Sequence, residues 1–441
     1  MSEITNGFIV GVLEKYNLQD SDDCVIVGKI QGTVHVGDKV YITNYGDDDD
    51  ELVVSSVTRI DADKKKDLSE CKEGFPAIFI KNGAMENIKP GTVIRSFEEV
   101  DKELIKNTYI NAIGDTYIGK MDLNIDDSVL STMSIADCAE VWRIYLWLLN
   151  KGNTERSKEE LDECRNKLSK LSAAMAHKVL SADEIYCVVN KNTGETNLFS
   201  RTIKKDEGYL VTPPEIKIIP KAYYDEASRA FPADKYSIVK IDNGDSGNGI
   251  FRFLSNAFFL QGACGVRIIY DQISISSVRF VDKPDFGDDV NTSGKPVTNT
   301  ELARWILLRG QLGKAETEEE QIVARIYYRY IAKNIGSAQL ILPVKKEGVM
   351  PEPDENGNIK CDENFKLQYP IRNQSNGKQM VPVFTDWKHL RAEFGNDWNG
   401  LIQSMDEITK RFDVVINPNK NHPGGCCFIS REAYEEMKTI Q

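Results

Sequence analysis

Residues 7–95 constrain the fold more than any other stretch of the chain. Apolar residues recur at every second position in short runs, and Gly, Asn or Asp separates each run from the next. The clearest case spans residues 31–42. Val34, Val36, Val40 and Ile42 alternate with polar neighbours around a central Gly37-Asp38 pair. Period-two alternation interrupted by Gly-Asp predicts a β-hairpin. Seven such runs (FIVGVLEKY, DCVIVGKI, TVHV, DKVYIT, ELVVSSVTRI, FPAIFIK and GTVIR) predict a small all-β barrel over residues 1–100. The acidic run at 45–51 predicts a solvated loop, because its like charges repel; a calcium loop needs alternating ligands around a turn Gly, and the run lacks that spacing.

Helical patterns follow, predicting a helical connector over residues 101–174. One helix opens at Ser134 with Asp137 three residues on, a spacing suited to reciprocal capping. The next places Leu161, Cys164, Leu168, Leu171 and Met175 on a single stripe. A stripe this short predicts packing on its own domain rather than a coiled coil. The rest of the chain reads as two α/β units, at 175–285 and 298–441, with 282–299 as linker. Lys235 to Gly249 and Arg411 to Gly425 are the same distance apart. That spacing aligns KYSIVKID with RFDVVINP, and places strand ends at Ser255 and Ser430, where each Ser would cap the next helix. Thr317 and Glu320 form a further capping box, and residues 345–364 read as a polar loop.

The net charge is −13, and residues 1–100 carry 11 Lys/Arg against 19 Asp/Glu, a net −8. An acidic surface repels phosphate backbones, which argues against nucleic acid as a partner. Nine cysteines without a CxxC spacing predict reduced thiols in a cytoplasm, and four scattered histidines predict no zinc cluster. The amino terminus has no signal-peptide pattern, and the most apolar helical run is half the length of a membrane span. No membrane association, metal or cofactor is expected.

Two family resemblances rest on specific residues. The stretch GKIQGTVHVGDKVYI with ENIKPGTVIRS resembles the second domain of elongation factor Tu and its relatives, which pairs a G-x-[VI]-x-x-GD hairpin with a later glycine-led strand. Gly32, Gly37, Asp38 and Gly91 carry that pattern. The family's GTPase domain precedes this barrel, whereas six residues precede the first strand here, so a translation-protein barrel without its motor is expected. VPVFTDWKHLRAEF followed by DVVINPNK resembles the amino-terminal domain of the SseB family, through Phe384, Thr385, Asp386, Asn417 and Pro418. The unit at 175–285 looks like a diverged copy, with IIPKAYYDE and KIDNGD in place of F-T-D and N-P. The SseB resemblance implies a cytoplasmic bacterial protein with an interaction role.

Three stretches suggest catalysis on inspection. GDTYIGKM at 114–121 fits G-x-x-x-x-G-K, but Met121 stands where a P-loop needs Ser or Thr and no helix start follows. NGDSGNG at 243–249 contains the G-D-S-G of chymotrypsin-type proteases, but Ser246 has no histidine in a matching motif; a Gly-rich turn is the expectation. Phe384, Thr385, Asp386 and Asn417, with His422 in a nearby loop, are the candidate ligand-binding residues. Strand ends meeting a helix start suit a small anion, and the simpler role of Thr385 or Asp386 is a helix cap. His389 is expected to be solvated on a polar helix.

The chain is therefore expected to be an α+β multidomain protein: a small β-barrel, a helical connector and two tandem mixed α/β SseB-like domains. No complete catalytic constellation is present in the sequence. The leading expectation is a non-catalytic cytoplasmic binding or adaptor protein with a protein partner. One alternative is a translation-associated factor whose barrel contacts the ribosome or translation proteins; another is a hydrolase-like enzyme. The oligomeric state is open.

Overall fold

The computed structural model describes residues 4, 7–19, 21–46, 52–62, 65–72, 74–81, 88–99, 101–118, 125, 127–151, 157–282, 296–349, 365–374 and 377–440. The acidic loop at 47–51, the Lys120–Met121 end of the P-loop-like run, most of the 282–299 linker and the polar loop beyond residue 349 lie outside these. The chain is a mixed α/β multidomain protein. One compact unit comprises Met1–Ile185, Ile219–Glu226 and Ile268–Ile273; the other comprises Tyr186–Ile218, Ala227–Arg267 and Ser274–Gln441.

The first unit begins with β1 (Phe8–Asn17), β2 (Cys24–Gly32), β3 (Val34–His35), β4 (Lys39–Thr43), β5 (Val53–Asp61), β6 (Glu70–Cys71), β7 (Ala77–Ile80) and β8 (Val93–Arg95). Six strands close a barrel in the order β1-β2-β7-β5-β4-β8. Inward positions such as Val10, Val12, Ile26, Ile60, Ile78, Ile80 and Ile94 fill it, which accounts for the period-two pattern. Glycines admit close approaches. A Cβ on Gly32 (φ +94°) would overlap the Gly7 carbonyl oxygen, and one on Gly91 (φ +91°) would meet Ile113 at 2.7 Å.

Four helices follow: α1 (Lys102–Ile118), α2 (Asp127–Thr132), α3 (Ile135–Lys151) and α4 (Lys158–Ser181). Gly114 of the P-loop-like run lies inside α1, a helix rather than a phosphate-cradling loop. The Ser134 cap is reciprocal: the Asp137 amide donates to Ser134 Oγ at 3.0 Å, and the Ser134 amide to Asp137 Oδ2 at 2.8 Å. On α4 the predicted stripe buries Cys164, Leu171 and Met175. Ser172 Oγ accepts from Trp142 of α3 at 3.1 Å, so α4 packs within its own unit.

The second unit is built mainly from β9 (Glu184–Asn190), β10 (Thr202–Lys205), β11 (Gly208–Val211), β12 (Glu215–Ile219), β13 (Tyr236–Asp242), β14 (Gly265–Ile268) and β15 (Ser274–Ser276), with α5 (Tyr224–Ala230) and α6 (Gly249–Phe259). The sheet order is β13-β9-β12-β14-β15, and β10-β11 is a separate hairpin. Then come α7 (Thr300–Leu312), α8 (Glu318–Ile335), β16 (Gln339–Gly348), β17 (Phe365–Gln368), β18 (Arg372–Asn373), β19 (Gln379–Val383), α9 (Trp387–Phe394), β20 (Asn399–Ser404), α10 (Met405–Thr409), β21 (Asp413–Ile416), β22 (Cys427–Ile429) and α11 (Arg431–Lys438). An antiparallel bridge between Ile341 and Phe384 joins β16 to the end of β19. This produces the order β20-β16-β19-β21-β22, which matches β13-β9-β12-β14-β15 strand for strand.

The matching order corrects the spacing-based alignment. KYSIVKID forms β13, an edge strand, whereas the DVVI of RFDVVINP forms β21, an interior one; the counterpart of β21 by order is β14. Ser255 ends no strand either. It lies inside α6 and donates to the Phe251 carbonyl four residues back at 2.8 Å. Ser430 does cap α11, accepting from the Ala433 amide at 3.1 Å. The Thr317–Glu320 capping box forms as well.

Candidate functional site

The 31–42 stretch makes its predicted turn but no hairpin ladder. Gly37 takes φ +93°, and Asp38 Oδ2 accepts from the His35 amide at 2.8 Å. The flanking strands pair elsewhere, β3 with β6 and β4 with β5 and β8. The reason lies in the turn's backbone. The Gly37 amide donates to the Val57 carbonyl and the Val57 amide to the Asp38 carbonyl, both at 2.9 Å, so the turn docks on β5. Val36 consequently faces solvent while Val34, Val40 and Ile42 are buried.

In the second unit, Phe384, Thr385, Asp386 and Asn417 converge. Parallel pairing of β19 with β21 brings the ends of both strands side by side, and the Asn417 amide extends the ladder to the Val383 carbonyl at 2.8 Å. Asn417 adopts a left-handed backbone (φ +47°), which Asn tolerates better than most residues. That twist turns its carboxamide back onto Thr385. Oδ1 accepts from the Thr385 amide at 3.0 Å, and Nδ2 donates to Thr385 Oγ1 at 2.9 Å. Thr385 Oγ1 then donates to Asp386 Oδ2 at 2.8 Å. The Thr385 carbonyl is occupied too, accepting from Asn299 Nδ2 at 2.7 Å. Phe384 is fully buried in a core with Ile341, Leu390 and Val297.

Asp386 caps α9. Its Oδ1 accepts from the His389 amide at 3.0 Å, satisfying a free donor of the first turn. The same carboxylate meets His389 Nδ1 through Oδ2 at 2.7 Å. On the far side of the ring, His389 Nε2 lies 3.3 Å from Glu195 Oε1, and Lys388 Nζ lies 3.3 Å from Glu195 Oε2. Gln261 also donates to Glu195. A continuous polar chain therefore runs Asn417–Thr385–Asp386–His389–Glu195, linking segments more than 200 residues apart in sequence.

Burial works against the imidazolium. The hydrogen bonds and negative charges of Asp386 and Glu195 outweigh it and raise His389 to about 9. Burial likewise pushes both carboxyls up, and the bonded imidazolium more than reverses this, holding Asp386 below its ordinary value; His389 with Lys388 does the same for Glu195.

A hydroxyl, a carboxylate and an imidazole in a row invite comparison with a nucleophilic triad. The order is wrong for that chemistry. The carboxylate stands between hydroxyl and imidazole, so His389 makes no contact through which to take the Thr385 proton. A histidine protonated at neutral pH is also no general base. Thr385 and Asp386 are 0% and 1% exposed, with their oxygens engaged inside the network. The arrangement locks the start of α9 to two strand ends and a distant loop.

His422 is not brought into this network. Its Nδ1 pairs with the Lys191 carbonyl at 2.8 Å, and its ring covers Gly194, where a Cβ would meet it at 3.1 Å or less. Cys426 Sγ accepts from the Asn419 amide at 3.0 Å. Ser246 donates to Asn248 Oδ1 at 2.7 Å in an exposed turn. The residues missed by sequence reasoning are His389, expected in solvent, and Glu195. An Asp cap followed three residues later by His was the available signal for the first. Among the described residues, no group of three or more His, Cys, Asp or Glu could hold a metal ion, and no helix is long and apolar enough to cross a membrane.

No family model and no curated protein matches the chain, so the SseB resemblance stands on its motif residues alone. Among solved structures, translation elongation factor SelB from Methanococcus maripaludis is similar in its apo form, at 20% identity over 21% of this chain and 19% of that one, TM-score 0.18. SelB in complex with the GTP analogue GppNHp is similar at 20% identity over 22% and 20%, TM-score 0.18. The chain spans about a fifth of those structures. Likeness of that extent carries nothing about activity.

Proposed function

We propose that this chain is a non-catalytic binding or adaptor protein of the bacterial cytoplasm, acting through contacts of two SseB-like α/β domains. The observation that carries this is the state of the candidate site. Every polar group that could have bound or attacked a substrate at Thr385, Asp386 and Asn417 is engaged by another group of the protein. The shared strand order of the two sheets supports reading them as copies of one unit. The full chain, tagged and used as bait in a native bacterial lysate, should recover a protein partner in stoichiometric amount. Recovery of none at near-native abundance overturns the proposal.

A second reading is a translation-associated factor without GTPase activity. It is favoured by the closed six-stranded barrel and its Gly37-Asp38 turn. Cosedimentation with ribosomes at low salt is its test, and absence from the ribosomal pellet removes it.

A further inference from the structure

The second unit contains a cavity of about 650 Å³ that none of the motif residues line. Its floor is one face of α8: Ile326, Arg329, Tyr330 and Lys333 follow the spacing that puts side chains on a single helical stripe. Gly208 and Tyr209 of β11 and Ile440 complete the lining. Tyr330 is held in place, stacked on Trp305 of α7 with ring centroids 4.0 Å apart and planes 7° from parallel.

Two properties of the cavity bear on what it could hold. First, Arg329 and Lys333 form no ion pair with a described carboxylate, in a protein of net charge −13. The acidic hairpin turn at Asp206 and Glu207 makes no ion pair with them, and Lys204 and Lys205 of β10 add two further exposed cations nearby in sequence. Second, β11 pairs only with β10, so its other edge has no described backbone partner, and the hairpin residues that line the cavity belong to β11. A free strand edge is a template for an added strand.

The geometry points to an extended acidic peptide segment of a protein partner, added along the edge of β11 with its side chains over the α8 face. Arg329 and Lys333 are four residues apart on a helix, a rise of about 6 Å. Alternate residues of an extended strand repeat at about 6.7 Å on one face. The segment that fits therefore carries two acids in the order acid-x-acid, preceded by an apolar residue to lie on Ile326 and Tyr330. A nucleic acid is disfavoured, because the net charge of −13 repels a phosphate backbone beyond the few cations at the cavity. This inference rests on the binding-protein reading and names the partner's chemistry.

The test is fluorescence anisotropy of the full chain with a fluorescein-labelled peptide of order Leu-Thr-Glu-Thr-Glu-Thr. Saturable binding that weakens with added NaCl is expected. The same peptide with Gln for both Glu, and the double variant Arg329→Glu with Lys333→Glu, should each weaken binding at least about tenfold. A peptide with Lys for both Glu should recover affinity for the double variant, which shows that the variant is folded. Arg252→Glu, exposed on α6 and outside the cavity lining, should bind as wild type. Equal binding by the Gln peptide, equal binding by the double variant, or tighter binding of an oligothymidylate would overturn the inference. In the lysate experiment, a partner retained by the double variant overturns the groove while leaving the adaptor reading intact. No partner for wild type overturns the adaptor reading while the peptide titration still stands.

Discussion

Substituting His389→Gln removes the cation bonded to both Asp386 and Glu195, and the cost can be worked from the titration of the ring. The folded pKa is raised from 6.5 to about 9. At about 1.4 kcal/mol per pH unit, that difference corresponds to about 3 kcal/mol of stability at most, and His389 is 18% exposed, so solvent screening removes only part of it. The sign follows from the direction. A raised imidazole pKa stabilises fully below pH 6.5, and the contribution is lost as pH rises through 9, leaving two carboxylates facing a neutral ring. On the acid side, Asp386 and Glu195 are lowered from 3.8 and 4.5, so their contribution holds above those values and is lost as pH falls through their folded pKa. The three groups form one coupled network, so the losses belong to it jointly. NMR of the imidazole protons reads this directly, because the chain has four histidines and the variant identifies which resonance is His389. A midpoint near 9 is expected. In urea unfolding followed by the methyl signals of Leu390, on the buried face of α9, wild type should lose stability between pH 6.5 and 9.5 and the variant should not. A His389 midpoint at or below 6.5, or parallel pH profiles, would refute the reasoning.

Further substitutions separate backbone strain from contact. Asn417→Ala strands the buried Thr385 amide and places Ala at φ +47°, for a loss of about 2–5 kcal/mol in urea unfolding; Asn417→Gly keeps only the first cost and should be milder. Gly32→Ala and Gly37→Ala share a positive φ near 94°, about 1–2 kcal/mol each, but only Gly32 also meets a carbonyl oxygen. Equal losses of barrel stability in the two would contradict the packing described here. Gly310→Ala lies inside α7, where Ala normally stabilises by about 1 kcal/mol, yet a Cβ there overlaps the Gly424 carbonyl oxygen. Thermal unfolding should show a loss, and a gain would be fatal to that contact.

The barrel was legible because its signals are local. Inward Val and Ile alternate, turns carry Gly or Asp, and each strand is short enough for the pattern to define it. Capping is local too, so Ser134, Thr317 and Ser430 were all readable. His389 was not. Lys388, Arg391 and Glu393 make α9 read as a solvated helix, and the carboxylate that covers the outer face of His389 comes from Glu195, which periodicity cannot place. The Gly37-Asp38 turn was legible but its pairing was not, since the decision rests on hydrogen bonds to Val57 twenty residues away. Ser255 misled for another reason. In α6 the aromatic and aliphatic residues of GIFRFLSNAFF suit a strand by composition, but Ile250, Leu254, Ala257 and Phe258 recur at helical spacing and are the ones buried.

Equal spacing along the chain also misaligned the two sheets, because spacing is not what a repeated topology preserves. α6 has 11 residues and α10 has five, so the strand after the helix falls at a different distance in each sheet. What recurs is the backbone at the strand end. Asn417 follows β21 with φ +47°, and Ile269 follows β14 with φ +56°. Of the two, Asn suits that conformation and a β-branched Ile does not, a cost of about 1–2 kcal/mol. If the left-handed turn is imposed by the fold, Ile269→Asn should recover part of that cost against the loss of a half-buried side chain. Ile269→Ala loses the same burial and keeps most of the strain, so the Asn variant should be the more stable by about 1 kcal/mol in urea unfolding. An Ala variant as stable as the Asn variant would mean that Ile269 is held by side-chain packing, and the alignment of β14 with β21 would lose its backbone support.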